Sequence, residues 1–423
     1  MEDMYKLLES YLNEDQIKDL KEEMSKDFSN KGLILNTLRC PRENLDEFIL
    51  TQDTDDKNLY LYKNDETKPG KNILHEAGAY YILDPSAVII RENLVAEDKE
   101  FVIDLCAAPG GKTISYALKN PHSVIIANDF SLKRCEELSK NVERMGLANV
   151  IVTNYEPKEF LKNFSNYFDK VILDTPCSGT GMFRKEKKVL EDWSKEKVDN
   201  LLPLQDSLLE VAYGLLKEGG YLSYSTCSFL KEEDEDRLSV LLNNHDDLEI
   251  IELKHQDGFL EGTIKNTLHL LPSLYKKGEG HFISILRKKG DRVPNEFKLE
   301  GKFDETLNLY TFKYKNEIYG LPYLDKRLLK LDSLRFGVKI TNSTKYSKCE
   351  YDHALSHYLS SKDSLDLTEQ EALSYLEGNE VSVHTSHKDG LITVSYKNVN
   401  LGFGKLVKGR IKNYYPKGLR KRI

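Results

Sequence analysis

Residues 101–113, FVIDLCAAPGGKT, constrain this chain more than any other stretch. Residues 101–105 form an apolar run carrying one acid, Asp104. A turn with Pro109, Gly110 and Gly111 follows, and Ile114, Ala117 and Leu118 then recur at helical spacing. Strand, tight glycine turn and helix in that order predict the first unit of a doubly wound, largely parallel sheet. The glycines let a ligand approach the backbone. The stretch ends Gly111-Lys112-Thr113, as a P-loop does, but Cys106 stands where the first glycine of Gly-x-x-x-x-Gly-Lys-Thr belongs. The phosphate cradle is incomplete, which argues against an ATPase. Such a turn suits a nucleoside ligand without a phosphate chain, for which S-adenosylmethionine is the candidate.

The same pattern repeats downstream. Strands are predicted at 101–105, 123–128, 150–153, 171–174 and 221–226. Leu132, Cys135, Leu138, Val142 and Met145 follow helical spacing after Ser131, a good N-cap. Residues 198–216 read as an amphipathic helix ended by Gly219 and Gly220. Strands alternating with helices imply an α/β fold with a mostly parallel sheet. Two later strands, 248–252 and 281–287, have no obvious helix between them and are expected to pair antiparallel at an edge.

The flanks differ in texture. Residues 1–30 contain no Pro or Gly and read as two short helices; 33–38 reads as a strand and 53–71 as a charged loop. After about residue 290 the chain becomes β-rich, with a Tyr-rich alternating run at 307–319. Thr368 and Glu371 form a capping box that opens a helix ending at Gly378. Asp389-Gly390 predicts a hairpin between two alternating runs, after Val381 and before Tyr396. The expected division is 1–97, an N-terminal extension; 98–290, a catalytic core; 291–360, a small linking α/β subdomain; and 361–423, a β-rich domain.

Composition narrows the function. No run of about 18 apolar residues exists, so no membrane span is expected. The start, MEDMYKLLES, is acidic and unlike a signal peptide. Cys40, Cys106, Cys135, Cys177, Cys227 and Cys349 include no Cys-x-x-Cys pair, so neither a metal site nor a redox couple is expected. Scattered cysteines without a secretion signal predict a reduced, cytoplasmic protein. The net charge of −8 argues against a nucleic-acid partner, yet residues 401–423 hold eight Lys or Arg and no acid. Local field rather than net charge attracts phosphates. This run reads either as a basic arm or as a strand of its own domain.

Acids and cysteines gather at predicted strand ends: Asp104, Asp129, Asp174 and Cys177 in DTPCSGTGMFRK, and Cys227 in YSTCSF. An open parallel sheet binds ligands outside the carboxyl ends of its strands. A lone cysteine there is usually packing. Two beside an acid, in Pro- and Gly-rich loops, point to a site.

DLCAAPGGKT, LDTPCSGTG and YSTCSF, in this order, resemble the signature of the Nop/Sun family of RNA cytosine-5 methyltransferases. LILNTLR (33–39), GAYYILDPSA (78–87) and GEGHFISILRK (278–288) resemble other segments of that family. FGK and KNYYPKGLR near the end resemble the C-terminal domain of its bacterial small-subunit ribosomal RNA members. The resemblance implies a Rossmann-like class I methyltransferase fold, an N-terminal α/β extension and a C-terminal PUA-like RNA-binding region. It implies S-adenosylmethionine as cofactor and RNA as partner, with the protein acting as a monomer. Cys106, Ala107, Ala108, Pro109, Gly110, Gly111 and Lys112 would line its methionine part. Asp129 would hold its ribose, with Arg134 nearby, and Asp174 would lie next to it. Glu156, in Asn154-Tyr155-Glu156, stands where the family has Asn-x-Asp near the adenine, and Leu83 stands where a glutamine is common. Lys405, Lys412, Lys417 and Arg420 would contact RNA. The implied substrate is small-subunit ribosomal RNA. Transfer RNA is the rival substrate, and a catalytically inactive RNA-binding assembly factor the rival class.

The chemistry accounts for two cysteines and an acid. Carbon 5 of cytosine is a poor nucleophile, and a thiolate adding to carbon 6 makes it enamine-like. An acid at N3 neutralises the charge that develops, worth about 10²–10⁴-fold. Asp174 is the candidate, which requires it to be protonated or to share a proton, and Lys112 lies within reach of both cofactor and base. The residues alone leave open which cysteine attacks, since Pro176-Cys177 resembles the nucleophile of DNA cytosine methyltransferases. The resemblance to the RNA family assigns attack to Cys227 and product release to Cys177.

Overall fold

The computed structural model describes the chain except residues 27–29, 54–55, 64–67, 95–96, 98, 255–256, 294–299, 342–348 and 421–423. Lys421 and Arg422 of the basic run therefore lie outside the described residues.

The central sheet is built from β1 (Phe101–Asp104), β2 (Val124–Asn128), β3 (Val150–Thr153), β4 (Phe168–Asp174) and β5 (Leu216–Thr226). These run parallel in the order β3-β2-β1-β4-β5. Their near-continuous apolar runs follow from burial on both faces. Val102, Ile125, Val150 and Ile172 pack beneath α1 (Gly111–Lys119) and α2 (Leu132–Arg144). Ile103, Ile126, Ile151 and Leu173 face α3 (Lys195–Leu215) on the other side. The chain leaves β1 outward through β2 and β3, then returns to start β4 on β1's other flank. The crevice at that reversal opens between the loops after Asp104 and Asp174.

Antiparallel strands complete the sheet. Leu248–Ile251 pairs with His281–Lys288, as expected, but the latter is no edge: it also pairs with β5 and with Leu268–Leu270. Ser333–Phe336, from the region after the core, pairs with β3 and covers that edge. The helix expected to stop at Gly219-Gly220 stops at Leu215, and the two glycines lie inside β5. Gly219 has φ +70°, and a Cβ on Gly220 would sit 2.9 Å from the Asp169 carbonyl oxygen. The glycines form an irregularity in the β4–β5 pairing, where the register shifts between Phe168 and Lys170.

At the N-terminus, helices Glu2–Leu8 and Glu14–Met24 precede a four-stranded antiparallel sheet ordered Thr51–Gln52, Leu59–Lys63, Asn30–Leu35, Tyr80–Leu83. Leu59–Lys63 corrects the reading of 53–71 as loop: LYLYK is short and surrounded by charges, but its pairing with Asn30–Leu35 buries Leu59, Tyr60 and Tyr62. The strand predicted at 33–38 is displaced to Asn30–Leu35, because the Asn36 amide turns away to donate to Gly78 O and Met145 O, both at 2.9 Å.

The Tyr-rich run is a hairpin, Leu309–Tyr314 with Glu317–Leu321. Beyond it, a five-stranded sheet runs Leu365–Leu367, Gly390–Tyr396, Val399–Val407, Arg410–Asn413, Val381–Ser382. The capping box of Thr368 and Glu371 opens helix Glu369–Leu376 as expected. The hairpin does not turn at Asp389-Gly390. It turns at Lys397-Asn398, both at positive φ (50° and 59°), while the Asp389 carboxylate accepts from Lys408 N. The basic run is woven in as far as Asn413: Leu401, Phe403, Leu406 and Ile411 are buried on two strands, Val399–Val407 and Arg410–Asn413, rather than lying on an arm, and Tyr415 beyond them is buried too. Among the described residues no helix is long and apolar enough to cross a membrane.

Arg39 joins three of these parts. Its guanidinium donates to Arg144 O at the end of α2 and to Asn400 O of the C-terminal sheet, both at 3.0 Å, and to His357 Nδ1 at 3.3 Å. Arg39→Ala strands these acceptors and is expected to cost about 2–4 kcal/mol of stability. Urea denaturation measures it; a change below about 0.5 kcal/mol, the range of an ordinary surface substitution, would refute the stapling.

Candidate active site

The glycine turn sits as the sequence predicts. Gly110 has φ +118°, and a Cβ there would lie 2.9 Å from Leu138 Cδ1, so α2 holds the turn close. Ala107 N donates to Asn128 O at 2.7 Å, tying the turn to β2. Asp129, at the end of β2, is 2% exposed. Its carboxylate accepts from Ser131 N at 2.9 Å and Ala108 N at 3.3 Å, and meets Arg134 Nη1 at 3.1 Å. Arg134 also donates to Ala108 O. One guanidinium thus clamps the acid to the turn that carries Cys106 to Gly111.

Beside the turn lies a cavity of 380 Å³, lined in part by Cys106, Asp129, Phe130, Arg134, Glu156 and Leu204. Its size suits a small organic ligand. Phe130 and Leu204, 75% and 45% exposed, supply apolar surface, while Asp129 supplies a fixed acceptor. Glu156 stands at this cavity, paired to Lys158 at 2.8 Å. Pro176 lines it too, so the cavity reaches the loop that carries Cys177. Beneath, Asp104 Oδ1 is buried without a hydrogen-bond partner, while Thr113 Oγ1 donates to Oδ2 at 2.5 Å. Burial, above all, pushes the Asp104 carboxyl up to about 7. Leu83, in place of the glutamine, is buried in the core.

The strand ends of β4 and β5 bring the two cysteines together. Cys177 Sγ and Cys227 Sγ are 3.1 Å apart, although 50 residues separate them. Glu233, fully buried, holds both loops. It accepts from Ser178 N at 2.8 Å, Ser178 Oγ at 2.6 Å and Ser228 Oγ at 2.6 Å, the residues directly after each cysteine. Gly181 is a close approach: a Cβ would lie 2.9 Å from Cys227 O. The hydrogen bond with Cys227 and then burial raise the Cys177 thiol well above its usual range, so Cys177 rests protonated.

Asp174 Oδ2 lies 2.7 Å from Lys112 Nζ, and Oδ1 accepts from Ser225 Oγ at 2.9 Å. Burial works to raise its pKa, but Lys112, His281 and the two hydrogen bonds outweigh it and hold the carboxyl below its ordinary value. Of the two expected states, a protonated Asp174 or one sharing a proton, the depressed carboxyl disfavours the first, and the contact with Lys112 is the geometry of the second. Lys112, in the first turn of α1, is 8% exposed.

The structure thus gathers Lys112, Asp174, Cys177 and Cys227 at one sheet edge, and Cys106, Asp129, Arg134 and Glu156 around the neighbouring cavity. Glu233 and His281 escaped the sequence reading. Glu233 lies in KEEDEDR, which looks like a solvated charge run; only the serine spacing after each cysteine hinted at a shared acceptor. In the same run, Asp234 and Glu235 approach His269, all buried. These groups are already used: His269 Nε2 meets Glu235 Oε1 at 3.0 Å, and Thr226 Oγ1 donates to Asp234 Oδ1 at 2.6 Å, bracing the strand behind Cys227. On the C-terminal sheet, exposed Lys405 and Lys412 are direct cross-strand partners. Like charges so placed cost stability. Lys417 is exposed on the final short turn, and Arg420 lies against Gly378.

Comparison with known proteins bears on both regions. A family profile described as "16S rRNA methyltransferase RsmB/F" matches residues 92–287, and one described as "Methyltransferase RsmF PUA domain" matches 362–421. A protein of Aeromonas salmonicida named ribosomal RNA small subunit methyltransferase F is 30% identical over 397 residues, covering 85% of this chain and 83% of that protein. The protein of the same name from Vibrio cholerae is 29% identical over 433 residues, covering 92% and 91%. Among solved structures, a methyltransferase homolog protein from Pyrococcus horikoshii is 29% identical with a TM-score of 0.58, covering 68% of this chain and 93% of that one. NSun6 from Pyrococcus horikoshii shares the fold, with a TM-score of 0.59 at 18% identity, covering 68% of this chain and 98% of that one.

Proposed function

Because the chain belongs to the RsmB/F family of 16S rRNA methyltransferases, we propose that it methylates carbon 5 of a cytosine in small-subunit ribosomal RNA through a covalent adduct with Cys227. The observation that carries this is the pair of thiols 3.1 Å apart beside the Lys112–Asp174 ion pair. S-adenosylmethionine is the cofactor and, when bound, supplies an electrophilic methyl group. The residues fit it: Asp129 is a preset acceptor for ribose hydroxyls, and Phe130 and Leu204 offer apolar surface.

The Cys227 thiolate adds to carbon 6 of the base, and negative charge moves toward N3. Lys112 gives N3 the proton it holds against Asp174, and Asp174 keeps that ammonium in place. Carbon 5 is then nucleophilic and takes the methyl group. Attack also removes the Cys227 charge and hydrogen bond that raise Cys177. Cys177 becomes easier to deprotonate only once the adduct exists. Cys177 gives its proton to the Lys112 amine left by the first step. Its thiolate takes the carbon-5 proton as the carbon–sulfur bond breaks, Cys227 leaves as thiolate, and N3 releases its added proton to water.

We assign residues 98–290 to this chemistry, with 1–97 and 361–423 gripping RNA and 291–360 linking them. The protein acts as a cytoplasmic monomer without a metal. Methylation assays on purified small subunits, free small-subunit RNA and bulk transfer RNA, read by bisulfite sequencing, test the substrate. Activity confined to transfer RNA would refute it.

Two further results are expected. Asp129→Ala should weaken S-adenosylmethionine binding about 10–100-fold, the worth of a charge-assisted hydrogen bond; unchanged affinity in calorimetry would exclude the ribose role. Lys405→Ala with Lys412→Ala should weaken RNA binding at every sequence and lower the slope of log affinity against log salt by about 1.5. An unchanged slope would remove these lysines from the interface. Deleting 401–423 is no substitute, because it strips two strands from their sheet.

A further inference from the structure

Asp84-Pro85-Ser86 and Glu279-Gly280-His281 lie almost two hundred residues apart in sequence, and neither has a part in the chemistry above. They meet behind Lys112. The Lys112 ammonium has a second partner besides Asp174, His281 Nε2 at 3.0 Å. An ammonium only donates, so Nε2 accepts and the imidazole proton is on Nδ1. His281 Nδ1 lies 2.6 Å from Ser86 Oγ, and the Ser86 hydroxyl donates to Asp84 Oδ1. Asp84 is fixed in turn by Ser86 N at 2.9 Å and by Glu279 N at 3.1 Å.

Glycine at 278 permits this approach, and glycine at 280 the turn beside it. A Cβ on Gly278 would lie 2.6 Å from Asp84 Oδ1. Gly280 has φ +109°, and a Cβ there would lie 2.6 Å from Leu270 O. A continuous chain therefore runs Asp84, Ser86, His281, Lys112, Asp174. The charged groups facing the imidazole are Lys112 from α1, Asp174 from the end of β4, and Asp84 from the loop before Pro85. Burial and then Lys112 lower the His281 pKa to about 4 against the pull of the two acids, so the ring is neutral at pH 7. A neutral acceptor holds the ammonium without cancelling its charge. A carboxylate in its place would compete with Asp174 for that charge, and an apolar ring would leave a buried N–H unsatisfied.

We propose that His281, oriented by Ser86 and Asp84, is a positioning residue that locks the Lys112 ammonium onto Asp174, where the pair meets the substrate base. This rests on the reading of Lys112 and Asp174 as the proton-donating pair. His281→Phe keeps the ring and removes the acceptor. It should lower kcat about 10-fold, the worth of one hydrogen bond to a charged group, with KM for RNA and S-adenosylmethionine unchanged. His281→Gln, whose amide oxygen can accept from Lys112, should restore most of kcat. Ser86→Ala should give a smaller loss of the same kind. Wild-type kcat in His281→Phe, or equal losses in the Phe and Gln variants with KM raised, would overturn the proposal.

A second measurement needs no substrate. In histidine-labelled protein, the ring signals lost on His281→Phe should show a neutral imidazole protonated at Nδ1 from about pH 8 down to about pH 5.5, below the usual histidine midpoint. An imidazolium, or the Nε2–H tautomer, would overturn it. If the wild-type enzyme methylated no cytosine, the parent reading would fall, and this spectrum would still decide the His281 contact.

Discussion

Cys227→Ser is expected to abolish methyl transfer, by at least about 10³-fold, because a hydroxyl is a far weaker nucleophile than a thiolate. The fold should survive, since serine is smaller and the loop is held elsewhere, by Gly181 N on the Cys227 carbonyl and by Glu233 on the next residue. Cys177→Ala has a different signature. Attack does not need Cys177, but the thiol that takes the carbon-5 proton is gone, so RNA should stay attached to Cys227. A denaturing gel shows the adduct as a slow band, and protease treatment removes it. Cys177 is pushed up by its hydrogen bond with Cys227 and by burial, so it rests as the thiol. If the adduct accumulates in Cys227→Ser and not in Cys177→Ala, the assignment is reversed. If neither variant traps RNA and both lose activity, there is no covalent route.

Asp174→Asn should lower kcat by about 10²–10⁴-fold, the worth of a positioned proton donor. Asparagine keeps the shape and can still accept from Ser225 and Lys112, but it leaves a buried ammonium without its counter-charge. S-adenosylmethionine affinity should change far less than kcat, because the cofactor acceptor Asp129 sits on another strand. The pH dependence separates this from the reading in which Asp174 is the protonated acid. Its folded pKa is depressed, so the carboxylate and its contribution persist above the ordinary value of 3.8 and are lost only as pH falls below it. The kcat profile of the wild type should therefore show no limb from Asp174 between about pH 5 and pH 8. A rate that grows on acidification through that window, and does so no longer in Asp174→Asn, would show that the acid works protonated.

Much of this was written in local residue order. FVIDLCAAPGGKT contains its own strand, turn and helix signals, and Gly110 at φ +118° is the conformation such a turn requires. Ser131 and Thr368 announced their helices because capping is satisfied within three residues. The C-terminal hairpin shows where local signals mislead. Asp389-Gly390 is the better turn dipeptide, yet the chain turns at Lys397-Asn398, because pairing of Gly390–Tyr396 with Val399–Val407 buries Ile392, Val394, Leu401 and Phe403. Burial outweighed the local preference of the turn. LYLYK became a strand for the same reason.

The site divides along the same line. Which residues would come together was legible, since Asp174, Cys177 and Cys227 end strands of a parallel sheet and such ends converge by topology alone. Their ionisation was not. Lys112, delivered by α1 to within 2.7 Å, offsets the burial that would push the Asp174 carboxyl up, and the second sulfur that β5 places beside Cys177 raises its thiol further. Glu233 reads as one more surface acid until the loops of both cysteines close over it, and His281 as one more strand residue until Asp84 and Ser86 arrive from the N-terminal sheet. Residue type and spacing determine what a chain can bind and where its strands end. Protonation and hydrogen-bond partnership depend on desolvation and on neighbours brought from distant sequence, and these exist only once the chain has folded.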